Sequence, residues 1–162
     1  MVDLVEIQAA YYMVAATGVL IAAVFYVINL RETRKTQQQQ LETRQAQLFT
    51  QLYSDYKKPE NLRLIGRAMQ MNWRDYDDFQ KKYDDVEQME DRIPYTSWSM
   101  YFQEIGVLLK EGFIDINLVA QFLPDSFRRY WEKFKPIILE HRVRNSYPQY
   151  FAGMEHLYNE FC

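Results

Sequence analysis

Two histidines and one glutamate are the side chains of this sequence best suited to bind a metal ion. The chain has two histidines, His141 and His156. Glu160 follows His156 by one helical turn, so the two side chains would face the same side of a helix. If His141 came from a neighbouring helix, its imidazole would complete a ligand set of the kind that zinc accepts. His141 ends an aromatic stripe, however, and such a histidine is more often packed and hydrogen-bonded. We therefore predict no metal, no catalytic residue and no cofactor.

The aromatic residues suggest a second hypothesis, a pocket for a small ligand. They recur on one face of segment 98–109 and on one face of segment 127–141. A pocket between two such segments would have mostly apolar walls and a few polar groups. The polar candidates are Tyr101, Glu104 and His141. In this alternative the protein is a helical ligand sensor or an enzyme.

Common enzyme classes and nucleic-acid binding find no support in the sequence. The single cysteine, Cys162, cannot form an internal disulfide, which fits a reducing cytoplasm. The sequence contains no Walker loop, no Rossmann glycine pattern, no nucleophile elbow and no His-Glu-x-x-His motif. Because the formal net charge is −3, a nucleic-acid partner is not expected.

Helical periodicity dominates the sequence after residue 49, and no useful alternating strand pattern appears. Asp75 and Asp115 should each cap a helix, and Gly112 should end one. Pro94 should precede one helix, Pro136 should kink or divide another, and Pro148 should open the last. These features predict an all-α domain of five or six helices, including the helix that enters it from the N-terminal side. The most periodic stripe follows the cap candidates Asp125 and Ser126 and comprises Phe127, Tyr130, Trp131, Phe134, Ile137, Ile138 and His141.

Four stretches in a fixed order resemble a family of small bacterial and archaeal proteins. They are NWRDYDDFQKKY (72–83), YFQEIGVLLKEGFIDINLV (101–119), YWEKFKPIILEHR (130–142) and YFAGMEHL (150–157). Members of that family have one N-terminal membrane helix and a helical cytosolic domain of unknown function. The resemblance covers about residues 41–160. It implies a helical fold and a membrane tether, and it supplies no catalytic residue.

An apolar run near the N-terminus predicts a transmembrane helix over residues 11–30. No charged side chain lies between Glu6 and Arg31. Twenty helical residues at about 1.5 Å each span roughly 30 Å, the thickness of the hydrocarbon core of a bilayer. The bilayer is therefore the first expected partner.

The charges beside this run predict its orientation. Asp3 and Glu6 precede it, whereas Arg31, Arg34 and Lys35 follow it. Because basic flanks stay in the cytoplasm, residues 1–10 should lie outside the cell membrane and the rest of the chain inside.

Residues 31–48 predict a polar helical stalk, since they include good helix formers and lack glycine and proline. The stalk could be a single solvated helix or a bundle of several copies around a glutamine-lined axis, which is the preferred interpretation. A flexible low-complexity linker is the third interpretation. Residues 49–162 should form the helical cytosolic domain.

Two groups of residues predict contacts with partners. Small residues at helical spacing let membrane helices approach closely, and Ala15, Gly18 and Ala22 have that spacing. A basic group later in the chain is opposite in charge to an acidic stretch, 75–91. The two could pair within one chain, pair between neighbouring copies, or leave the basic side to contact anionic lipid or another membrane protein. Ordinary solvated helix faces are the other interpretation. The basic group comprises Arg128, Arg129, Lys133 and Lys135. The sequence thus favours a membrane-anchored homo-oligomer that acts as a scaffold, accessory subunit or regulator.

Overall fold

A computed structural model describes residues 3–84, 89–121, 123 and 125–161. Within these residues the chain forms seven α-helices and no strand, which confirms the all-α prediction. The chain divides into two compact units, Met1–Arg44 and Gln45–Cys162. The helices are α1 (Leu4–Tyr56), α2 (Pro59–Gln70), α3 (Tyr76–Tyr83), α4 (Met89–Lys110), α5 (Ile116–Ala120), α6 (Ser126–Arg144) and α7 (Ala152–Phe161).

Helix α1 continues without a break for 53 residues through the apolar run and the polar segment after it. The stalk is therefore helical, as predicted, and not a flexible linker. A side-chain pair supports it locally, because Gln38 Nε2 donates to Glu42 Oε1 at 3.2 Å. The Thr43 hydroxyl is satisfied by the Gln39 carbonyl at 2.8 Å.

Helix α2 has no counterpart in the sequence prediction. Pro59 occupies its first turn, where the missing N–H costs no hydrogen bond, and Glu60 complements the positive end of the helix dipole. The count of five or six helices was too low because this helix lies outside the predicted segments.

Helix α3 begins with the predicted cap. The Asp75 carboxylate accepts a hydrogen bond from the Asp78 backbone N–H at 2.9 Å. The Asp78 carboxylate in turn accepts from the Arg74 backbone N–H, so two amide groups at this end are satisfied.

Helix α4 begins at Met89, ahead of Pro94, and therefore earlier than the sequence suggested. It ends at Lys110, and the predicted stop, Gly112, follows with a φ of 73° in the left-handed region. The amides of Phe113 and Gly112 donate to the carbonyls of Leu108 and Leu109, the pair of bonds that defines a Schellman motif.

Helix α6 runs through Pro136, which does not divide it. It ends in a second Schellman motif with Ser146 at the left-handed position, φ 49°. The Tyr147 and Ser146 amides donate there to the carbonyls of Arg142 and Val143.

Helix α7 begins at Ala152. The prediction that Pro148 opens this helix was therefore wrong. Phe151 has a positive φ of 53°, and this left-handed residue redirects the chain immediately before the helix. The Gln103 side chain accepts a hydrogen bond from the Met154 amide at 3.0 Å. It thereby satisfies one of the free amides of the first turn.

The core of Gln45–Cys162 is largely aromatic. The Tyr130 hydroxyl is fully buried, donates to the Tyr95 carbonyl at 2.8 Å and lies 2.9 Å from Ser99 Oγ. Burial raises the pKa of Tyr130, so this hydroxyl keeps its proton for donation. Other fully buried side chains of this core include Phe102, Ile105, Phe134, Ile138, Met154 and Leu157.

Candidate functional site

The N-terminal part of α1 presents an apolar surface that is exposed among the described residues. Val14 is 73% exposed, Leu20 68% and Phe25 63%. Among the described residues, α1 is the one helix long and apolar enough to cross a membrane. Side chains of this kind avoid water, so this surface needs lipid or protein against it.

The hydroxyl of Thr17, the threonine within the apolar run, is compatible with lipid. Thr17 Oγ1 donates to the Met13 carbonyl at 2.8 Å, so the helix itself satisfies the group. Asn29 lies two residues before Arg31, where the span predicted from sequence reaches the headgroup region.

The three small residues of the predicted contact face are all exposed. Ala15, Gly18 and Ala22 lie within about one third of the helix circumference, since each residue turns the helix by about 100°. A Cβ added at Gly18 would meet no atom within 4 Å. Packing within the chain therefore does not require glycine at this position.

The three cations predicted to orient the helix share one face of α1. Arg31, Arg34 and Lys35 are exposed, and their spacing places all three side chains on neighbouring turns. In the part of the chain that the structure describes, none of them forms an ion pair with another side chain. Their charges therefore face the surroundings of the helix.

The metal candidates do not converge. Within residues 3–84, 89–121, 123 and 125–161, no group of three or more His, Cys, Asp or Glu side chains is arranged to hold a metal ion. His141, His156 and Glu160 thus do not form the three-ligand set considered from the sequence. His141 instead uses its Nδ1 atom in a hydrogen bond with the Tyr76 hydroxyl, at 2.9 Å.

His141 is held between two tyrosines from other parts of the domain. Its ring stacks on Tyr150, with centroids 4.0 Å apart and planes at 28°. Tyr76, on α3, also contacts the His141 ring. Burial lowers the pKa of His141, and the positive charge of Arg92 lowers it further. A neutral imidazole therefore joins α3, α6 and the segment before α7.

This environment makes the stability of the domain depend on pH. The pKa of His141 is lower in the folded state than its ordinary value near 6.5, so the unfolded chain binds the proton more readily. We expect the free energy of unfolding to be highest above about pH 6.5 and to fall as the pH decreases through the lowered pKa. Urea unfolding at pH 7.5 and pH 5.5, followed by tryptophan fluorescence, measures this difference.

The replacement His141→Asn removes the titratable imidazole and supplies a side-chain amide that can still form a hydrogen bond. It should reduce the pH dependence between these two values, whereas the matched control His156→Asn should leave it in place. An unchanged pH dependence in His141→Asn would show that the histidine is not responsible.

Within the described residues, aromatic rings are in contact at the position where the sequence predicts a pocket between α4 and α6. The ring of Phe102 on α4 lies 4.7 Å from that of Phe127 and 5.2 Å from that of Tyr130, both on α6, measured between ring centroids. The three polar candidates also separate. Tyr101 donates to the Leu52 carbonyl of α1 at 2.8 Å, and the exposed Glu104 lies near it on α4, whereas His141 contacts Tyr76 and Tyr150.

Two basic residues at the start of α6 pair with a nearby carboxylate. Arg128 lies 2.6 Å and Arg129 3.3 Å from oxygens of Asp125. The Asp125 side chain therefore forms ion pairs with both arginines. It makes no capping hydrogen bond to the helix, although the sequence suggested it as a cap. Lys135 is exposed on the same helix.

Two further cations of α6 bind groups inside the domain. Lys133 donates to the Met69 carbonyl at 2.9 Å and lies 5.1 Å from the centre of the Trp73 ring. Burial lowers the pKa of Lys133. Arg144 pairs with Asp77 of α3, so part of the predicted attraction between basic and acidic segments occurs within one chain.

Arg142 has a structural role that sequence spacing did not identify. Its Nε donates to the Tyr150 carbonyl at 2.9 Å, and its Nη1 donates to Glu155 Oε2 at 2.6 Å. Only 13% of this side chain is exposed. The guanidinium thus fastens α6 to the turn that precedes α7 and to α7 itself.

Comparison with known proteins identifies a family but no activity. No curated protein and no solved structure matches the chain. Residues 13–161 match the family described as domain of unknown function DUF4760. The match starts inside the apolar run, so this part of α1 belongs to the family domain together with the helices that follow. The chain is therefore a member of the DUF4760 family of domains of unknown function.

Proposed function

We propose that this protein is a single-pass membrane protein whose helical domain acts in the cytoplasm as a scaffold, accessory subunit or regulator. The observation that carries the proposal is the uncovered apolar surface of α1. Residues 11–30 would lie in the bilayer, where their exposed side chains contact lipid and every backbone hydrogen bond of the span is internal to the helix.

The charges around the span support one orientation. Arg31, Arg34 and Lys35 would remain on the cytoplasmic side, and residues 1–10 would lie outside. The three cations would also meet the anionic headgroups of the inner leaflet. The continuous helix through residues 31–48 connects the span to the domain.

Self-association through the membrane helix is the second part of the proposal. Ala15, Gly18 and Ala22 would let two copies of α1 approach closely, and Gly18 has no packing role within its own chain. Mass photometry of the protein in membrane-derived nanodiscs should give a particle mass that exceeds that of the empty disc by two or more times the 19.6 kDa of one chain.

A matched pair of variants tests the contact face. The replacement Gly18→Leu should shift the population towards the monomer, since the larger side chain separates the helices. Ala16→Leu lies about 160° away around the helix and should leave the oligomer intact. A wild-type protein that is monomeric at every concentration would refute self-association and leave membrane anchoring to be judged separately.

A further inference from the structure

A cleft lies beside the C-terminal end of α1, where α2 and α4 meet it. Its volume is about 220 Å³, and it is lined by Asp55, Asn61, Ser97, Trp98 and Tyr101. All five residues belong to Gln45–Cys162, so the cleft is built within one compact unit. None of its lining residues belongs to the cluster around His141.

Hydrogen bonds to the backbone hold the two aromatic side chains of this cleft. The Trp98 indole N–H donates to the Asn61 carbonyl at 3.0 Å. The Tyr101 hydroxyl donates to the Leu52 carbonyl at 2.8 Å. These donors are therefore committed to the fold. Trp98 is only 3% exposed, so the partly buried ring of Tyr101 offers a ligand most of the aromatic surface of the cleft.

The third fixed side chain is Asn61, whose Nδ2 donates to the backbone carbonyl of Asp55 at 2.7 Å. The Asp55 carboxylate is then the only ionised group among the five lining residues. One of its oxygens lies 2.7 Å from Lys58 Nζ, and the carboxylate is 38% exposed. A carboxylate has two oxygens, so Asp55 can accept from a second cation.

The charge of Asp55 reaches the aromatic side of the cleft. Burial raises the pKa of Tyr101, and the negative charge of Asp55 raises it further, with a smaller contribution from Glu104. The cleft therefore places a carboxylate beside an aromatic surface. This combination favours a cation that carries an apolar portion and disfavours an anion.

We propose that this cleft binds a small primary alkylammonium ion, with the ammonium group on Asp55 and the alkyl chain against Trp98 and Tyr101. Lys58 competes for the same carboxylate from within the chain. Its ammonium group must share Asp55 with the ligand or move away from it. Removing the charge of Asp55 should consequently lower the affinity for the alkylammonium ion, and removing the charge of Lys58 should raise it.

Titration of the full-length protein in detergent with n-butylammonium chloride, followed by calorimetry, tests the proposal. The probe 1-butanol has the same alkyl chain without the charge and should bind at least about fivefold more weakly. The replacement Asp55→Asn should weaken butylammonium binding about fivefold or more, and Lys58→Gln should strengthen it severalfold.

The control Glu111→Gln makes the same change in net charge as Asp55→Asn at an exposed position outside the cleft, and it should leave binding unchanged. Circular dichroism verifies that each variant is folded. Absence of butylammonium binding to the wild type would overturn the proposal. Equal binding of butanol, or equal affinities in Asp55→Asn and Lys58→Gln, would overturn it as well.

Discussion

The replacement Gly106→Ala is expected to destabilise the helical domain by about 3 kcal/mol, the upper end of the usual cost of overpacking a core. A Cβ at Gly106 would lie 1.8 Å from the Gly153 carbonyl oxygen and 2.3 Å from its carbonyl carbon. Both obstacles are backbone atoms of α7, so no side-chain rotation relieves the overlap. Helices α4 and α7 would have to separate, and the Gln103 contact with the Met154 amide would weaken with them.

Thermal unfolding of the purified protein measures this effect, and we expect a decrease in Tm of about 10 °C or more. The matched control is Gly66→Ala in α2, where an added Cβ meets no atom within 4 Å. That variant should keep or slightly raise the stability, because alanine favours an exposed helix by about 1 kcal/mol over glycine. Equal Tm values for the two variants would contradict the described contact between α4 and α7.

The double replacement Leu20→Asp and Ile21→Asp is expected to abolish membrane insertion. Each aspartate near the centre of a membrane helix costs about 2.5–3.5 kcal/mol, and both positions lie in the middle of the proposed span. The charge cannot reach water from there as a long lysine can near a helix end. Sedimentation of alkaline-washed membranes measures the fraction of the chain that remains inserted.

The control Gln39→Asp with Gln40→Asp introduces the same two charges at adjacent positions of the same helix, in its polar part. It should remain in the membrane fraction at the wild-type level. Retention of the Leu20→Asp, Ile21→Asp variant at that level would show that the apolar run does not lie in the hydrocarbon core.

Local signals in the sequence were sufficient for much of the fold. Asp75 and Asp115 were recognised as caps from their positions before apolar runs, and both accept hydrogen bonds from backbone amides of the helices they begin. Gly112 was recognised as a stop because a left-handed residue is needed there. The stripe from Phe127 to Ile138 is buried, as helical periodicity predicts.

Proline was the least dependable signal. Pro94 and Pro136 both lie within helices, since a helix can absorb the loss of one hydrogen bond when its apolar face is well packed. The turn before α7 depends on Phe151 in a left-handed conformation, which the residue type does not suggest. Pro59 followed by Glu60 is typical of the start of a helix, and this signal in the sequence indicates α2.

Contacts between distant residues could not be derived from spacing. His141 meets Tyr76, which lies 65 positions earlier, and Tyr101 meets the Leu52 carbonyl 49 positions earlier. Both contacts depend on how the helices pack, and periodicity along one helix contains no such information. The same limit explains why a pocket was expected where Phe102 and Phe127 are in contact.

The most direct test of the account is the environment of Leu20 in the intact protein reconstituted into liposomes. A spin label at this position, in a Cys162→Ser background, reports its collision rates with oxygen, which concentrates in lipid, and with a polar nickel complex, which stays in water. We predict high oxygen and low nickel accessibility at position 20, and the reverse for the same label at Gln39. Water-like accessibility at both positions would contradict the claim that the apolar segment of α1 lies in the bilayer.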